Sequence, residues 1–192
     1  GVFLYNFINE LGGEAFYLPT AKDNINSLND IFQEIKNYDL IISTGGASVG
    51  DYDLVQSALN KSNFKLSFWK IAMRPGKPVF FGSLKGIPFL GLPGNPVSAL
   101  VCFELFVRPA LEKISGNSQF LQARDQQMAR LKNSVQGSRD RPVYHPCQLE
   151  LADNGLLAKA LPWGGSADLL ALSSANGLLI VPKECDGFWR GE

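Results

Sequence analysis

Apolar and polar positions follow two different patterns along the chain, and the change comes near residue 116. Before that point, apolar residues recur at helical spacing in four segments. These segments predict helices over residues 2–11 and 27–37, from about residue 52, and from residue 96. Short apolar or alternating runs predict strands at residues 15–18, 39–42, 64–69, 79–81 and 87–90. Helices that alternate with strands in this way indicate an α/β domain.

The part of the chain after residue 116 shows short strands separated by turn residues. Strands are predicted at residues 142–151, 156–161 and 178–181. Asp153-Asn154-Gly155 is typical of a hairpin turn between the first two, and a short helix is predicted near Leu169. We therefore expect two domains, an α/β domain over residues 1–116 and a small all-β barrel or sandwich over residues 117–192.

Two glycine-bearing loops each join a predicted strand to a predicted helix. The first covers residues 43–53, and the second covers residues 91–98 and places Pro96 in the first turn of its helix. Glycine lets backbone N–H groups approach a ligand, and a helix N-terminus carries partial positive charge, so such loops suit phosphate or another oxyanion. A plain strand-to-helix turn explains either loop alone equally well. Two such loops in one domain favour a ligand site.

A basic segment lies between the two loops in the sequence. Lys70, Arg74 and Lys77 surround a Pro-Gly turn in residues 70–78. This segment is either a solvated surface loop or an anion clamp that faces the first glycine loop. The residue pattern leaves both interpretations open.

The composition of the chain argues against several classes of function. The chain has 192 residues, 45% of them hydrophobic, and its 18 basic residues balance its 18 acidic ones, so a nucleic-acid partner has no electrostatic support. Three widely spaced cysteines show neither metal spacing nor a disulfide framework, which suits a reducing cytoplasm. No segment has the apolar length of a membrane span. We interpret the only histidine, His145, as a structural or surface residue, because no Gly-x-Ser-x-Gly elbow accompanies it.

Three motifs in one order point to a family. The chain resembles the molybdopterin molybdenumtransferases of the MoeA type, whose animal relative is the E domain of gephyrin. The resemblance lies in residues 43–53, 73–78 and 91–98, followed by residues 103–111. The resemblance covers nearly the whole chain. It implies a three-layer, MogA-like molybdopterin-binding α/β domain, followed by a small all-β barrel-like domain.

The resemblance also implies an activity. Such enzymes bind adenylated molybdopterin and molybdate, insert molybdenum with the help of Mg²⁺ and release AMP, and they work as homodimers whose cleft is lined by both subunits. Asp23 and Asp53 match acidic residues of that cleft and are implied as catalytic and metal-binding residues. The residues implied to bind the cofactor are Thr44, Gly45, Gly46, Ser48, Val49, Gly50, Lys70, Arg74, Lys77, Pro93, Gly94, Asn95, Pro96, Ser98 and Ser166.

The sequence departs from the family pattern at its beginning. The family's first α/β strand and the two N-terminal domains that complete its cleft and dimer do not precede residue 1. We therefore expect the C-terminal part of such an enzyme, which alone binds the pterin weakly and does not insert the metal. Arg74 stands where lysine is frequent and Ala47 where valine is usual, and both substitutions look mild.

Three other functions stay open. A MogA-type molybdopterin adenylyltransferase shares the α/β domain but lacks the β domain. A scaffold module similar to gephyrin's E domain would bind a partner peptide without binding the pterin. A nucleotide-acting domain of the competence-damage type fits the Pro-Gly-Asn-Pro loop and the β domain less well.

Overall fold

The computed structural model describes residues 1–22, 24–45, 55, 57–117, 127–165 and 168–191. The chain forms two compact units. The first unit comprises Gly1–Ile71, Pro78–Gly94 and Cys102–Ala123. The second unit comprises Ala72–Lys77, Asn95–Val101 and Arg124–Glu192. Each unit has its own apolar core, and they are described in turn.

The first unit begins with two helices whose ends follow the residues that cap them. Helix α1 (Val2–Glu10) ends before Gly12, which has a φ of +82° and donates its N–H to the Asn9 carbonyl at 3.0 Å. Helix α2 (Ile25–Glu34) begins after Asn24, whose side chain accepts the N–H of Ser27 at 2.9 Å. Both predicted helices are confirmed, although α2 begins and ends a few residues earlier than the pattern predicts.

The sheet of the first unit has four strands in the order β1-β4-β3-β2. The strands are β1 (Ile41–Thr44), β2 (Phe64–Trp69), β3 (Phe80–Leu84) and β4 (Ile87–Leu92). Strand β1 pairs with β4 in parallel, whereas β3 pairs antiparallel with both β2 and β4. Val55 and residues 57–61 are helical and belong to the helix predicted after the first glycine loop. The predicted α/β class of this unit is therefore confirmed.

The strand predicted at residues 15–18 is wrong. This segment has no strand partner in the described chain, and Phe16 and Tyr17 are 59% and 61% exposed. The Tyr17 ring instead stacks on the Tyr5 ring of α1, with 5.1 Å between the centroids. An apolar run becomes a strand only where a neighbouring strand supplies hydrogen bonds, and short apolar runs alone do not reveal that partner.

Aromatic rings fill the core of the first unit and require glycine on the neighbouring strands. The rings of Phe80 and Phe89 stack at 5.7 Å between centroids, and the Phe64 ring lies nearly perpendicular to both. A Cβ atom on Gly91 would overlap the Phe80 ring, and one on Gly82 would overlap the Phe64 ring. Glycine at these two positions therefore follows from ring packing and not from backbone conformation.

Helix α3 (Pro96–Cys102) continues into a π-helical turn (Phe103–Val107) and then into helix α4 (Arg108–Ile114). Pro96 occupies the first helical position, as predicted, where its missing N–H costs nothing. Glu104 and Arg108 lie one turn apart, and the Arg108 guanidinium donates two hydrogen bonds to the Glu104 carboxylate, with Nε–Oε2 and Nη2–Oε1 distances of 2.6 and 2.8 Å.

The second unit contains two sheets. One has the order β5-β8-β7-β9 and the other pairs β10 with β6. The strands are β5 (Arg130–Leu131), β6 (Val135–Ser138), β7 (Val143–Ala152), β8 (Gly155–Ala160), β9 (Gly177–Val181) and β10 (Cys185–Phe188). The three predicted strands, the hairpin after Ala152 and a short helix α5 (Leu169–Ser173) are confirmed. Strands β5, β6 and β10 were not predicted.

Two asparagine side chains tie segments of the second unit to the main sheet. The Asn133 amide donates to the Ala160 carbonyl and accepts the Ala160 N–H, each at 2.9 Å. The Asn176 amide forms the same two-way contact with Leu149, at 2.9 and 2.6 Å. Each amide thus imitates the hydrogen-bonding edge of a strand. In neither unit is any described helix long and apolar enough to cross a membrane.

Candidate functional site

The two glycine loops leave the sheet from neighbouring parallel strands. Thr44, the last residue of β1, lies beside Leu92, the last residue of β4. The Gly45 N–H donates to the Leu92 carbonyl at 3.2 Å, and a Cβ atom on Gly94 would lie 3.5 Å from the Gly45 Cα. The structure therefore brings Thr44, Gly45 and Gly94 together at the carboxyl end of the parallel pair, where open α/β sheets bind ligands.

One further residue at this strand end was missed by the sequence reasoning. The Ser43 hydroxyl is buried and has no hydrogen-bond partner among the described residues. A buried hydroxyl without a partner costs about 1–3 kcal/mol, so a ligand that supplied a partner would recover that free energy. Ser43 is the first residue of the first glycine loop and precedes Thr44. That position could have identified Ser43 as a candidate site residue from the sequence.

The second loop divides its residues between buried and exposed positions. Pro93 is buried, whereas Gly94 and Asn95 are exposed. Asn95 precedes α3, and its carbonyl accepts the Ala99 N–H at 2.9 Å. Ser98, in the first turn of α3 after Pro96, is only 4% exposed. Gly94 and Asn95 are therefore the residues of this loop that solvent reaches most freely.

The predicted cation-bearing residues Lys70, Arg74 and Lys77 are all exposed, and backbone hydrogen bonds support the first two. In the first unit, Lys70 follows β2 with a φ of +66°, and its N–H donates to the Val79 carbonyl at 3.0 Å. In the second unit, the Arg74 N–H donates to Pro142 at 3.0 Å, and the Arg74 carbonyl accepts the Tyr144 N–H at 2.8 Å. Lys77 is also exposed and belongs to the second unit. The backbone of Lys70 and that of Arg74 are thus fixed within their own units.

Seven predicted site residues lie outside the described part of the chain. They are Asp23, Gly46, Ser48, Val49, Gly50, Asp53 and Ser166. Within the described residues, no group of three or more His, Cys, Asp or Glu side chains gathers where a metal ion could bind. The roles of Asp23 and Asp53, including the Mg²⁺ site, therefore stay predictions.

The second unit also contains an open pocket of about 350 Å³, lined by residues 133–136, His145 and residues 159–163. The Nδ1 atom of His145 lies 3.1 Å from the Pro146 carbonyl, and the imidazole meets the Trp163 ring edge to face at 5.3 Å. Because a carbonyl only accepts, Nδ1 is the donor in this contact. His145 is half-buried against Trp163, which agrees with a structural role.

Two cysteines can be ruled out as nucleophiles. Burial raises the pKa of the Cys102 thiol to about 12 and that of Cys147 to about 11. The thiolate is the reactive form, so both groups stay protonated and unreactive near neutral pH.

Comparison with known proteins identifies the family of both parts of the chain. Residues 1–113 match the family described as a probable molybdopterin binding domain, and residues 128–192 match the MoeA C-terminal region (domain IV). The chain belongs to the MoeA family of molybdopterin molybdenumtransferases. The predicted order, a MogA-like α/β domain followed by the MoeA C-terminal domain, is thereby confirmed.

Individual MoeA relatives match along most of this chain. It is 32% identical over 189 residues to molybdopterin molybdenumtransferase 2 of Mycobacterium tuberculosis, covering 95% of this chain and 46% of that protein. It is 32% identical over 198 residues to gephyrin of Dictyostelium discoideum, covering 85% of this chain and 27% of gephyrin. A crystal structure of a MoeA molybdopterin biosynthesis protein from Pyrococcus horikosii superposes with a TM-score of 0.79 at 32% identity, covering 100% of this chain and 45% of the other. This MoeA chain thus spans about half the length of the bacterial and archaeal relatives or less, and a smaller part of gephyrin.

Proposed function

We propose that this chain contributes to an enzyme that inserts molybdate into adenylated molybdopterin and releases AMP, in a reaction that depends on Mg²⁺. Membership of the MoeA family and relatives named as molybdopterin molybdenumtransferases support this activity. In the complete enzyme we propose a cytoplasmic homodimer. Because the chain spans less than half of its enzymatic relatives, we propose that it supplies binding groups and that the remaining part is needed for turnover.

The observation that carries this proposal is the close approach of Gly45 and Gly94 at the end of β1, a strand whose Ser43 hydroxyl has no hydrogen-bond partner among the described residues. Both substrates are anions, since molybdate is an oxyanion and the pterin carries phosphate. Glycine at positions 45 and 94 removes side-chain bulk where the two loops approach, which lets such oxygens come close to the loop backbone. The Ser43 hydroxyl, which has no partner among the described residues, adds one more donor. This arrangement fits an oxyanion better than it fits an apolar ligand.

The basic residues serve the same substrates. Lys70, Arg74 and Lys77 supply positive charge for phosphate or molybdate, and the Arg74 guanidinium has the planar donors for two-fold binding of oxyanions. Asp23 and Asp53 are proposed to hold Mg²⁺, a hard cation that prefers carboxylate and phosphate oxygens. When bound, the ion would draw charge from the phosphate oxygens at which AMP leaves.

The two main alternative functions, a MogA-type adenylyltransferase and a scaffold module, have different support. A MogA-type adenylyltransferase is disfavoured because residues 128–192 match the MoeA C-terminal region. A scaffold role is favoured only by the likeness to gephyrin, a relative of which this chain covers 27%. Binding of a peptide without any affinity for the pterin would support that second role.

Calorimetric titration tests the proposal. Adenylated molybdopterin, with Mg²⁺ and molybdate present, is titrated into the wild-type chain, into Asp53→Ala and into Asp186→Ala. Asp186 is an exposed aspartate paired with Arg139, so its removal controls for the loss of one surface carboxylate. We expect saturable binding that weakens at least tenfold in Asp53→Ala and stays unchanged in Asp186→Ala. Equal binding by all three proteins would argue against Asp53, and absence of binding by the wild type would argue against the proposed function.

A further inference from the structure

Two of the predicted anion-binding cations lie on tryptophan rings. The Lys70 Nζ is 3.6 Å from the centroid of the Trp69 ring, and the Arg74 Cζ is 5.7 Å from the centroid of the Trp163 ring. The Lys70–Trp69 pair belongs to the first unit and the Arg74–Trp163 pair to the second. Among the described residues, neither the Lys70 ammonium nor the Arg74 guanidinium forms an ion pair or a hydrogen bond.

Other arginines of the chain have different partners. Arg108 donates two hydrogen bonds to Glu104, and Arg139 donates two to Asp186. Those guanidinium groups already hold a carboxylate and have fewer donors left for a ligand. The Trp163 ring instead attracts the Arg74 guanidinium without accepting its hydrogen bonds, so the N–H donors remain available for a ligand. The Arg74 side chain is therefore oriented while its charge stays unneutralised.

We propose that Trp69 and Trp163 are positioning residues, and that each holds the cation of its own unit, Lys70 or Arg74, ready for an anion. The inference rests on the proposed function, in which that anion is molybdate or a phosphate group of the pterin substrate. A carboxylate partner would also orient a cation, but it would compete with the incoming anion. The electron-rich ring face attracts the cation without that competition.

The surroundings of Trp163 support a positioning role. Its indole N–H donates to the Gly165 carbonyl, and its ring is braced by the edge-to-face contact with His145 at 5.3 Å. On the other side of the pair, two backbone hydrogen bonds fix Arg74 to Pro142 and Tyr144. Both members are thus held by contacts of their own. Less conformational freedom of the guanidinium then has to be lost when an anion binds.

The first test measures anion affinity in tryptophan variants. Molybdate and AMP are titrated separately into the wild-type chain, Trp163→Leu, Trp163→Phe, Trp69→Leu and the control Trp189→Leu, which removes an indole that is 72% exposed and belongs to neither pair. An exposed cation–ring contact corresponds to a roughly two- to five-fold change in binding. We expect that loss in both Leu variants of the paired tryptophans, recovery in Trp163→Phe and no change in Trp189→Leu. Unfolding curves identify any variant whose loss reflects a damaged fold.

A double-mutant cycle separates positioning from general packing. If Trp163 acts through Arg74, Arg74→Gln combined with Trp163→Leu should bind no more weakly than Arg74→Gln alone. NMR spectroscopy tests the Arg74–Trp163 contact in the free protein. The ring current of Trp163 should shift the Arg74 Nε–H resonance in the wild type, and this shift should be absent in Trp163→Leu.

The outcomes distinguish this inference from the function on which it rests. A wild type that binds molybdate or AMP together with Leu variants that bind equally well would overturn the positioning role alone. The same conclusion follows from additive losses in the cycle, or from an Arg74 resonance that does not move. A wild type that binds neither anion would contradict the proposed function and this inference with it.

Discussion

Gly91 of β4 lies directly opposite Phe80 of β3, and the missing side chain of Gly91 leaves the space that the phenylalanine ring occupies. Phe80 is fully buried in the core of the first unit. We expect Gly91→Ala to lower the free energy of unfolding by about 1–3 kcal/mol, because the added methyl group overpacks the core. Urea unfolding followed by circular dichroism measures the change. Gly94→Ala is the matched control, because its methyl group would meet Gly45 only at ordinary contact distance. Equal midpoints for both variants would contradict the packing argument.

The same Gly94→Ala variant tests the proposed anion site. Its new methyl group would lie 3.5 Å from the Gly45 Cα and fill the space between the two loops. A hydrogen bond from a backbone N–H to a charged group is worth about 1.5–3 kcal/mol, so the loss of one such contact weakens binding about tenfold or more. We expect that loss for molybdate or AMP in calorimetric titration, with stability unchanged. Wild-type affinity in this variant would show that the ligand does not enter between the loops.

Buried Cys102 predicts how stability depends on pH in alkaline solution. Burial raises the pKa of this thiol from 9.0 to about 12 in the folded chain, so between those values the unfolded chain releases a proton that the folded chain keeps. The folded state then binds more protons than the unfolded state, and the free energy of unfolding falls as the pH rises, by up to about 1.4 kcal/mol per pH unit.

Comparison with Cys102→Ala isolates this contribution from other groups that titrate in the same range. The difference in unfolding free energy between the wild type and Cys102→Ala should be constant below pH 8 and should change steadily above pH 9. Chemical denaturation between pH 7 and pH 10.5 measures it. Parallel pH profiles for the two proteins would show that the Cys102 thiol does not ionise on unfolding in this range.

Asn133 and Asn176, whose side chains hydrogen-bond to the main sheet of the second unit, should contribute unequally to its stability. Asn133 is half-buried and Asn176 is exposed, although each amide makes two hydrogen bonds to one backbone residue. Asn133→Ala leaves the N–H and carbonyl of Ala160 without their partner at a place that water reaches less easily. We therefore expect the free energy of unfolding to fall by about 1–3 kcal/mol. Asn176→Ala should cost less, because water replaces the amide at Leu149. Thermal unfolding of the two variants checks the order, and a larger loss for Asn176→Ala would refute it.

Local sequence signals account for much of the first unit. Strand β2 was predicted at its observed bounds, and the β3–β4 hairpin was predicted from two apolar runs that flank Lys85 and Gly86. Those two residues have φ values of +52° and +86°, the conformation of a tight two-residue hairpin turn. Pro96 marked the start of α3 for an equally local reason, the missing N–H. Such features depend on a few adjacent residues, and the sequence displays them directly.

Features that depend on distant partners were not predictable in the same way. Strands β5, β6 and β10 have only two to four residues each, and they exist because other strands lie beside them. The contact of Arg74 with Trp163 joins residues 89 positions apart, and no local pattern connects them. The three-motif resemblance identified the family and many candidate site residues. The buried Ser43 hydroxyl, which has no hydrogen-bond partner among the described residues, could be found only in the structure.

The parallel pairing of β1 with β4 makes the proposed anion site depend on strand register. Thr44 aligns with Leu92, and this alignment sets Gly45 beside the second loop. Side chains alternate between the two faces of a strand, so inserting one residue into β1 would turn Ser43 to the opposite face and move Gly45 along the sheet. The residues of the loops could all remain unchanged while the proposed anion lost its binding groups. For evolution or design, the length of β1 and β4 is therefore as much a functional constraint as the glycines that follow them.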